Sequence, residues 1–169
     1  LVEFALLATP EDPFDPMEKA IRSFGQQQLA GTDHWHAGWR PEQTYPLAPP
    51  ILAMTQGFAQ DDPGLHLLAT KGAPEAVADL CHLEPLAAQA LLAQAQAMAA
   101  RGLRVLGVAK GQWRGSGWPA SQHDFSFEML GLIGLADPPR DDASGAVAAC
   151  RAAGVRVIMM TGDHPATAH

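Results

Sequence analysis

One stretch constrains the fold of this chain more than any other: an apolar run that ends in a lysine and passes at once into a helical pattern. Leu65-His66-Leu67-Leu68-Ala69-Thr70 reads as a strand, Lys71-Gly72-Ala73-Pro74-Glu75 as a turn, and residues 73–81 as a short helix. Gly72 has no Cβ, so the backbone there can approach a ligand closely. Pro74 suits the first helical position, where its missing N–H costs nothing. Upstream, Asp61-Asp62-Pro63-Gly64 is a strong turn signal, and residues 51–58 before it have strand character. Together these pieces predict an antiparallel hairpin that delivers one cation, Lys71, to a glycine turn. The same grammar also describes an ordinary strand-to-helix connection, so the remaining chain has to decide what the lysine is for.

At the start, Leu1, Phe4, Ala5 and Ala8 have helical spacing, and Thr9-Pro10-Glu11-Asp12-Pro13 breaks it. Asp15 then reads as an N-cap, with Pro16 at the first helical position, Glu18 at N3 and Ala20, Ile21 and Phe24 on one face. On pattern alone Glu18 is a capping-box acid. Residues 25–38 are polar and read as a solvated loop. Within it His34 and His36 form a His-x-His pair that offers two metal ligands and lacks a third nearby, so no metal site is expected. Pro46, Pro49 and Pro50 cannot donate to a ladder, which puts the following strand at an edge or a bulge.

Residues 83–101 form a long Ala/Gln-rich helical pattern closed by Gly102. Residues 103–109 follow as a buried strand in which Arg104 is the one charge. That guanidinium either pairs with a carboxylate such as Glu18 or Glu75, or faces a ligand. Residues 111–123 read as a glycine-rich loop carrying Trp113 and Trp118, and residues 127–136 as another strand, stopped by Asp137-Pro138-Pro139-Arg140. Beyond this the pattern changes. Asp141 or Asp142 caps a helix through Ala153, Gly154 closes it, and residues 155–160 are a short apolar strand of the parallel-sheet kind. Thr161-Gly162-Asp163 lies at its C-terminal end, where open α/β sheets hold their chemistry. The expected fold is therefore α+β: an antiparallel sheet flanked by helices over residues 1–135, followed by a partial Rossmann-like α/β segment over 136–169.

Composition narrows the function. A formal charge of −7 and a pI near 5.3 argue against nucleic acid as a partner. Cys81 and Cys150 show no paired spacing, so a reducing, cytosolic setting is the default. No stretch approaches the roughly 20 apolar residues of a membrane helix, and no signal peptide opens the chain. The chain begins without methionine and in a helical pattern, which reads as a piece of something longer.

Four segments, in this order, resemble a bacterial type II cation-transporting P-type ATPase: Asp15-Pro16-Met17-Glu18-Lys19-Ala20, Lys71-Gly72-Ala73-Pro74-Glu75, Asp137-Pro138-Pro139-Arg140, and Met160-Thr161-Gly162-Asp163-His164-Pro165-Ala166-Thr167-Ala168. The resemblance implies that residues 1–135 are the nucleotide-binding (N) domain and that 136–169 are the hinge and the start of the returning phosphorylation (P) domain. By the same resemblance Glu18 contacts the adenine amino group, Lys71 is the floor of the nucleotide pocket with Gly72 lining it, and Arg104 reaches the phosphates. Asp137 and Arg140 are hinge residues that help position nucleotide. Thr161, Gly162 and Asp163 lie beside a phosphorylated aspartate, Thr161 able to donate to a phosphoryl oxygen. Tyr45 would stack on adenine, in a segment that lacks the two cations many relatives place there, so weak nucleotide binding is expected.

The implied ligands are ATP and ADP, with Mg²⁺ in the parent enzyme, and the implied partners are the remaining P, actuator and transmembrane domains at the cytoplasmic face of a membrane. The piece itself is not expected to enter the membrane. The family's acceptor sequence, Asp-Lys-Thr-Gly-Thr, is absent from these residues, so no aspartyl-phosphate is expected on this chain. Two other readings compete: a free-standing nucleotide-binding or regulatory module, and a haloacid-dehalogenase-like phosphatase fragment. The latter needs an Asp-x-Asp motif that does not occur here.

Overall fold

The computed structural model describes residues 1–136, 142–158 and 160. Five strands form one antiparallel sheet in the order of the chain: β1 (Gln43–Tyr45), β2 (Ala53–Ala59), β3 (Leu65–Gly72), β4 (Leu103–Arg114) and β5 (Ser126–Ala136). Helices α1 (Val2–Leu7) and α2 (Pro16–Leu29) precede the sheet, α3 (Pro74–Leu80) and α4 (Pro85–Ala99) join β3 to β4, and α5 (Ala143–Ala152) follows it. The antiparallel α+β architecture is the expected one.

Strand alternation sorts the core into two layers. On one face α1 and α2 bury Ala5 and Ile21 against Val108, with Leu106, Ile133 and Leu135 packed around them. On the other, Val77 and Leu80 of α3 pack with Leu68, Ala53, Ala109 and the rings of Phe125 and Phe127. Burying each of the larger of these side chains stabilises the fold by about 1.5–3 kcal/mol at most. Phe125 makes edge-to-face contacts with Tyr45, Trp113, Trp118 and Phe127, at centroid distances of 5.5 to 6.5 Å. This is the aromatic plug of the sheet.

The hairpin forms as expected, with Met54 opposite Lys71 and Ala59 opposite His66. Lys71 and Gly72, however, are the last residues of β3 and not a turn. Gly72 is there for packing: a Cβ would lie 2.3 Å from the Leu52 carbonyl oxygen and 2.5 Å from Ala53 Cα. Four further expectations are corrected. Gln26-Gln27-Gln28 belong to α2, which runs on to Leu29 because glutamine favours helix and Gly25 lets the helix sit against Leu6, 3.2 Å from where a Cβ would be. The strand after the prolines, β2, is not at an edge but pairs with β1 on one side and β3 on the other, and the edge strand is β1, before the prolines. Strand β4 continues through Gly111 and Trp113 to Arg114, paired with β3 throughout and with β5 as far as Gln112, where a loop was expected. Finally, residues 155–158 and 160 form no strand, and Val155, Ile158 and Met160 are exposed. A parallel strand needs a hydrogen-bonding neighbour, and no strand among the described residues lies beside them.

Candidate functional site

The site grows from the N-terminus of α2. Asp15 caps that helix through its carboxylate, which accepts from the backbone N–H of Met17 at 2.8 Å and of Glu18 at 3.3 Å. This fixes the first turn and aims Glu18 at the sheet. Glu18 is not a capping-box acid: its Oε1 accepts from Lys71 Nζ at 2.7 Å. The reason is electrostatic. Lys71 is buried, its side chain only 6% exposed, and an ammonium in that position requires a partner.

Lys71 arrives from the end of β3, and its face is set by its register opposite Met54 and Val108. Burial lowers its pKa below the ordinary 10.5, while the hydrogen bond to Glu18 and the charges of Glu18 and Asp15 oppose that fall. A second acceptor, Thr9 Oγ1, stands 3.0 Å from Nζ. Sequence reasoning did not single out Thr9. Its only signal was a hydroxyl beside the break that ends α1.

Arg104 lies on β4 opposite Leu135 and lines a pocket of 310 Å³ with Asp15, Pro16, Met17, Ala20 and the end of β5. Val108 and Arg104 share a sheet face, four residues apart, so the row of Arg104 lies about 13 Å along the strand from that of Lys71. The first turn of α2 thus touches two places on the sheet: Glu18 meets Lys71 at the end of β3, and Asp15, Pro16 and Met17 line the pocket beside Arg104.

Tyr45 is not part of it. The residue is 8% exposed, its ring packs on Phe125, and its hydroxyl donates to the Pro119 carbonyl at 2.6 Å. Burial, aided by the Asp124 charge, raises its pKa. A ring held this way has little face to offer an adenine, so the stacking expectation is corrected to a core role. Asp137, Arg140, Thr161, Gly162 and Asp163 lie outside the described residues.

The His-x-His pair lies in the solvated loop that was expected, and the loop is held at one point. His34 Nδ1 lies 3.0 Å from Glu3 Oε2 and His36 Nε2 lies 2.7 Å from Glu3 Oε1, so α1 ties the segment down with one carboxylate. Among the described residues no group of three His, Cys, Asp or Glu side chains could hold a metal ion. No helix among them is long and apolar enough to cross a membrane. The Cys81 thiol, pushed up to about 11 by burial, is no nucleophile at neutral pH.

Comparison with known proteins places this geometry. The sequence pattern of the P-type ATPase cytoplasmic domain N matches residues 15–142. The chain is 34% identical over 164 residues to the sodium/potassium exporting P-type ATPase cta3 of Schizosaccharomyces pombe, covering 91% of this chain and 16% of that protein. It is 36% identical over 154 residues to the probable cation-transporting ATPase F of Mycobacterium tuberculosis, covering 78% of this chain and 16% of that protein. It is 36% identical over 128 residues to the human sodium/potassium-transporting ATPase subunit alpha-2, covering 64% of this chain and 12% of that protein. The chain thus spans about one sixth or less of the length of these relatives. With the matched pattern covering most of its residues, the chain belongs to the P-type ATPase family, of which it carries the cytoplasmic N domain.

Proposed function

We propose that this chain binds ATP or ADP as the N domain of a type II pump that couples ATP hydrolysis, through an aspartyl-phosphate, to cation transport at the cytoplasmic face of a membrane. The observation that carries the proposal is the Lys71–Glu18 contact. Two residues 53 apart in sequence, each in a separate family-like motif, meet at 2.7 Å in a buried corner. A carboxylate beside an ammonium suits a ligand with an amino-bearing base, and Arg104, about 13 Å along the sheet, suits the far, anionic end of a nucleoside triphosphate.

Mg²⁺ accompanies ATP in the parent enzyme by this reading, and no step on the described residues is assigned to it. Asp137 and Arg140 are proposed as hinge contacts, and Thr161, Gly162 and Asp163 as supports beside the acceptor aspartate, within a P-domain segment over 136–169. P, actuator and transmembrane domains are the proposed partners. Tyr45 is left out of the pocket, which leaves few groups to offset the freedom lost on association, so affinity for ATP is weak.

Titration of ATP into the chain, followed by NMR chemical shifts, tests the reading. The expected result is movement at Glu18, Lys71, Gly72 and Arg104 with saturation in the upper micromolar to millimolar range, on the order of 10⁻⁴ to 10⁻³ M. An unmoved Lys71 at saturating ATP rejects it.

A further inference from the structure

Lys71 has three N–H donors, and two acceptors stand around it. Glu18 Oε1 takes one at 2.7 Å and Thr9 Oγ1 another at 3.0 Å. The acceptors belong to different segments, Glu18 to α2 and Thr9 to the residues just past α1, and they differ in freedom. Thr9 is 3% exposed. Its hydroxyl donates to the Ala5 carbonyl at 2.8 Å and its backbone N–H to the Leu6 carbonyl at 2.9 Å. With its proton committed to Ala5, the hydroxyl can only present a lone pair to Lys71. Glu18 is a longer side chain, 22% exposed, and is able to turn.

We propose that Thr9 is a positioning residue for nucleotide binding, holding the Lys71 ammonium at the end of β3 while Glu18 is drawn to the ligand. The inference rests on the reading of Glu18 and Lys71 as nucleotide contacts. Its physical basis is the cost of leaving a buried charge without an acceptor. In the empty site the ammonium has both partners. If a ligand takes Glu18, Thr9 remains, and the lysine stays charged and in place. Without Thr9 the same event leaves the ammonium with neither, and it sheds its proton or swings away. Burial already disfavours the charged form, so removing an acceptor moves deprotonation to lower pH.

The test compares ATP affinity from about pH 7 to about pH 10 in the full chain and its variants, read by NMR shifts. In Thr9→Val the expected result is roughly tenfold weaker binding near neutral pH, and an alkaline loss of affinity that begins at lower pH than in the wild type. Thr9→Ser keeps the hydroxyl and restores both. In a Lys71→Met background Thr9→Val changes nothing further, because there is no ammonium to hold. An alkaline limb in Thr9→Val that superimposes on the wild type overturns the proposal, as does an equal loss of affinity in the Lys71→Met background, which marks a purely structural role. If Thr9→Val does not fold, Thr9→Ala carries the same comparison. A wild-type chain that shows no ATP shifts at all overturns the nucleotide reading and the Thr9 role together, and so is told apart from failure of the Thr9 role alone.

Discussion

Two ion pairs in this molecule have nearly the same length and opposite meaning. Lys71 and Glu18 meet at 2.7 Å, and Arg114 and Asp62 at 2.6 Å. The first pair has side chains 6% and 22% exposed, the second 64% and 55%. At the β2–β3 turn, Arg114 and Asp62 are screened by water and pay side-chain entropy to hold one geometry. At the other end of the same hairpin, Lys71 has given up most of its hydration, and Glu18 is what makes its charge tolerable. Separation alone therefore says little about an ion pair, and burial decides both its energetic weight and its fitness for a ligand. A buried pair with one mobile partner can be reorganised by an incoming ligand; an exposed pair simply exchanges with solvent.

The sharpest way to break this comparison is Glu18→Ala. Removing one member of a largely buried pair leaves an uncompensated ammonium, and the expected destabilisation is about 3 kcal/mol, measured by urea unfolding near pH 7. The pH dependence has a definite sign. Lys71 sits below its ordinary value of 10.5 in the fold, so between the folded value and 10.5 the unfolded chain binds the extra proton and stability from this group rises with pH. Loss of Glu18 lowers the folded value further, and the deficit of Glu18→Ala therefore shrinks as pH is raised toward 10.5. A deficit independent of pH contradicts the assignment. Next in size is Gly72→Ala. A Cβ lying 2.3 Å from the Leu52 carbonyl oxygen forces the start of β2 away from β3, at an expected cost of about 2 kcal/mol in the same assay. A neutral result means that the corner is held by its charges and not by backbone packing. The smallest effect is expected of Arg114→Ala, within about 0.5 kcal/mol of wild type and fading further in high salt. A loss as large as that of Glu18→Ala would remove the distinction drawn between the two pairs.

Local chemistry explains what the sequence made legible. The Asp15 cap, Pro74 at the first position of α3, the Gly102 stop after α4 and the β2–β3 hairpin are each encoded in a few adjacent residues, and each forms where expected. What was illegible depended on distant partners. Gly111 and Trp113 read as loop because glycine weakens a strand. They are strand because Leu68 and His66 stand opposite them on one side and Phe127 anchors the other. Glu18 looked like a helix cap because the lysine that claims it is 53 residues away. Tyr45 looked like a stacking platform because its hydroxyl partner, the carbonyl of Pro119, comes from 74 residues further on. Thr9 gave no signal, since an acceptor in a buried network is defined only by what it faces.

The order in which the strands follow one another has a consequence in time. Each strand pairs with its neighbour in sequence, and the β2–β3 hairpin can close from its short turn outward, a microsecond event in isolated hairpins. Of its seven paired positions, Ala59 with His66 is nearest the turn, and Met54 with Lys71 and Ala53 with Gly72 are the farthest. A ladder that zips from the turn reaches the lysine last, and the site is complete only once α1 and α2 have also brought Thr9 and Glu18 to it.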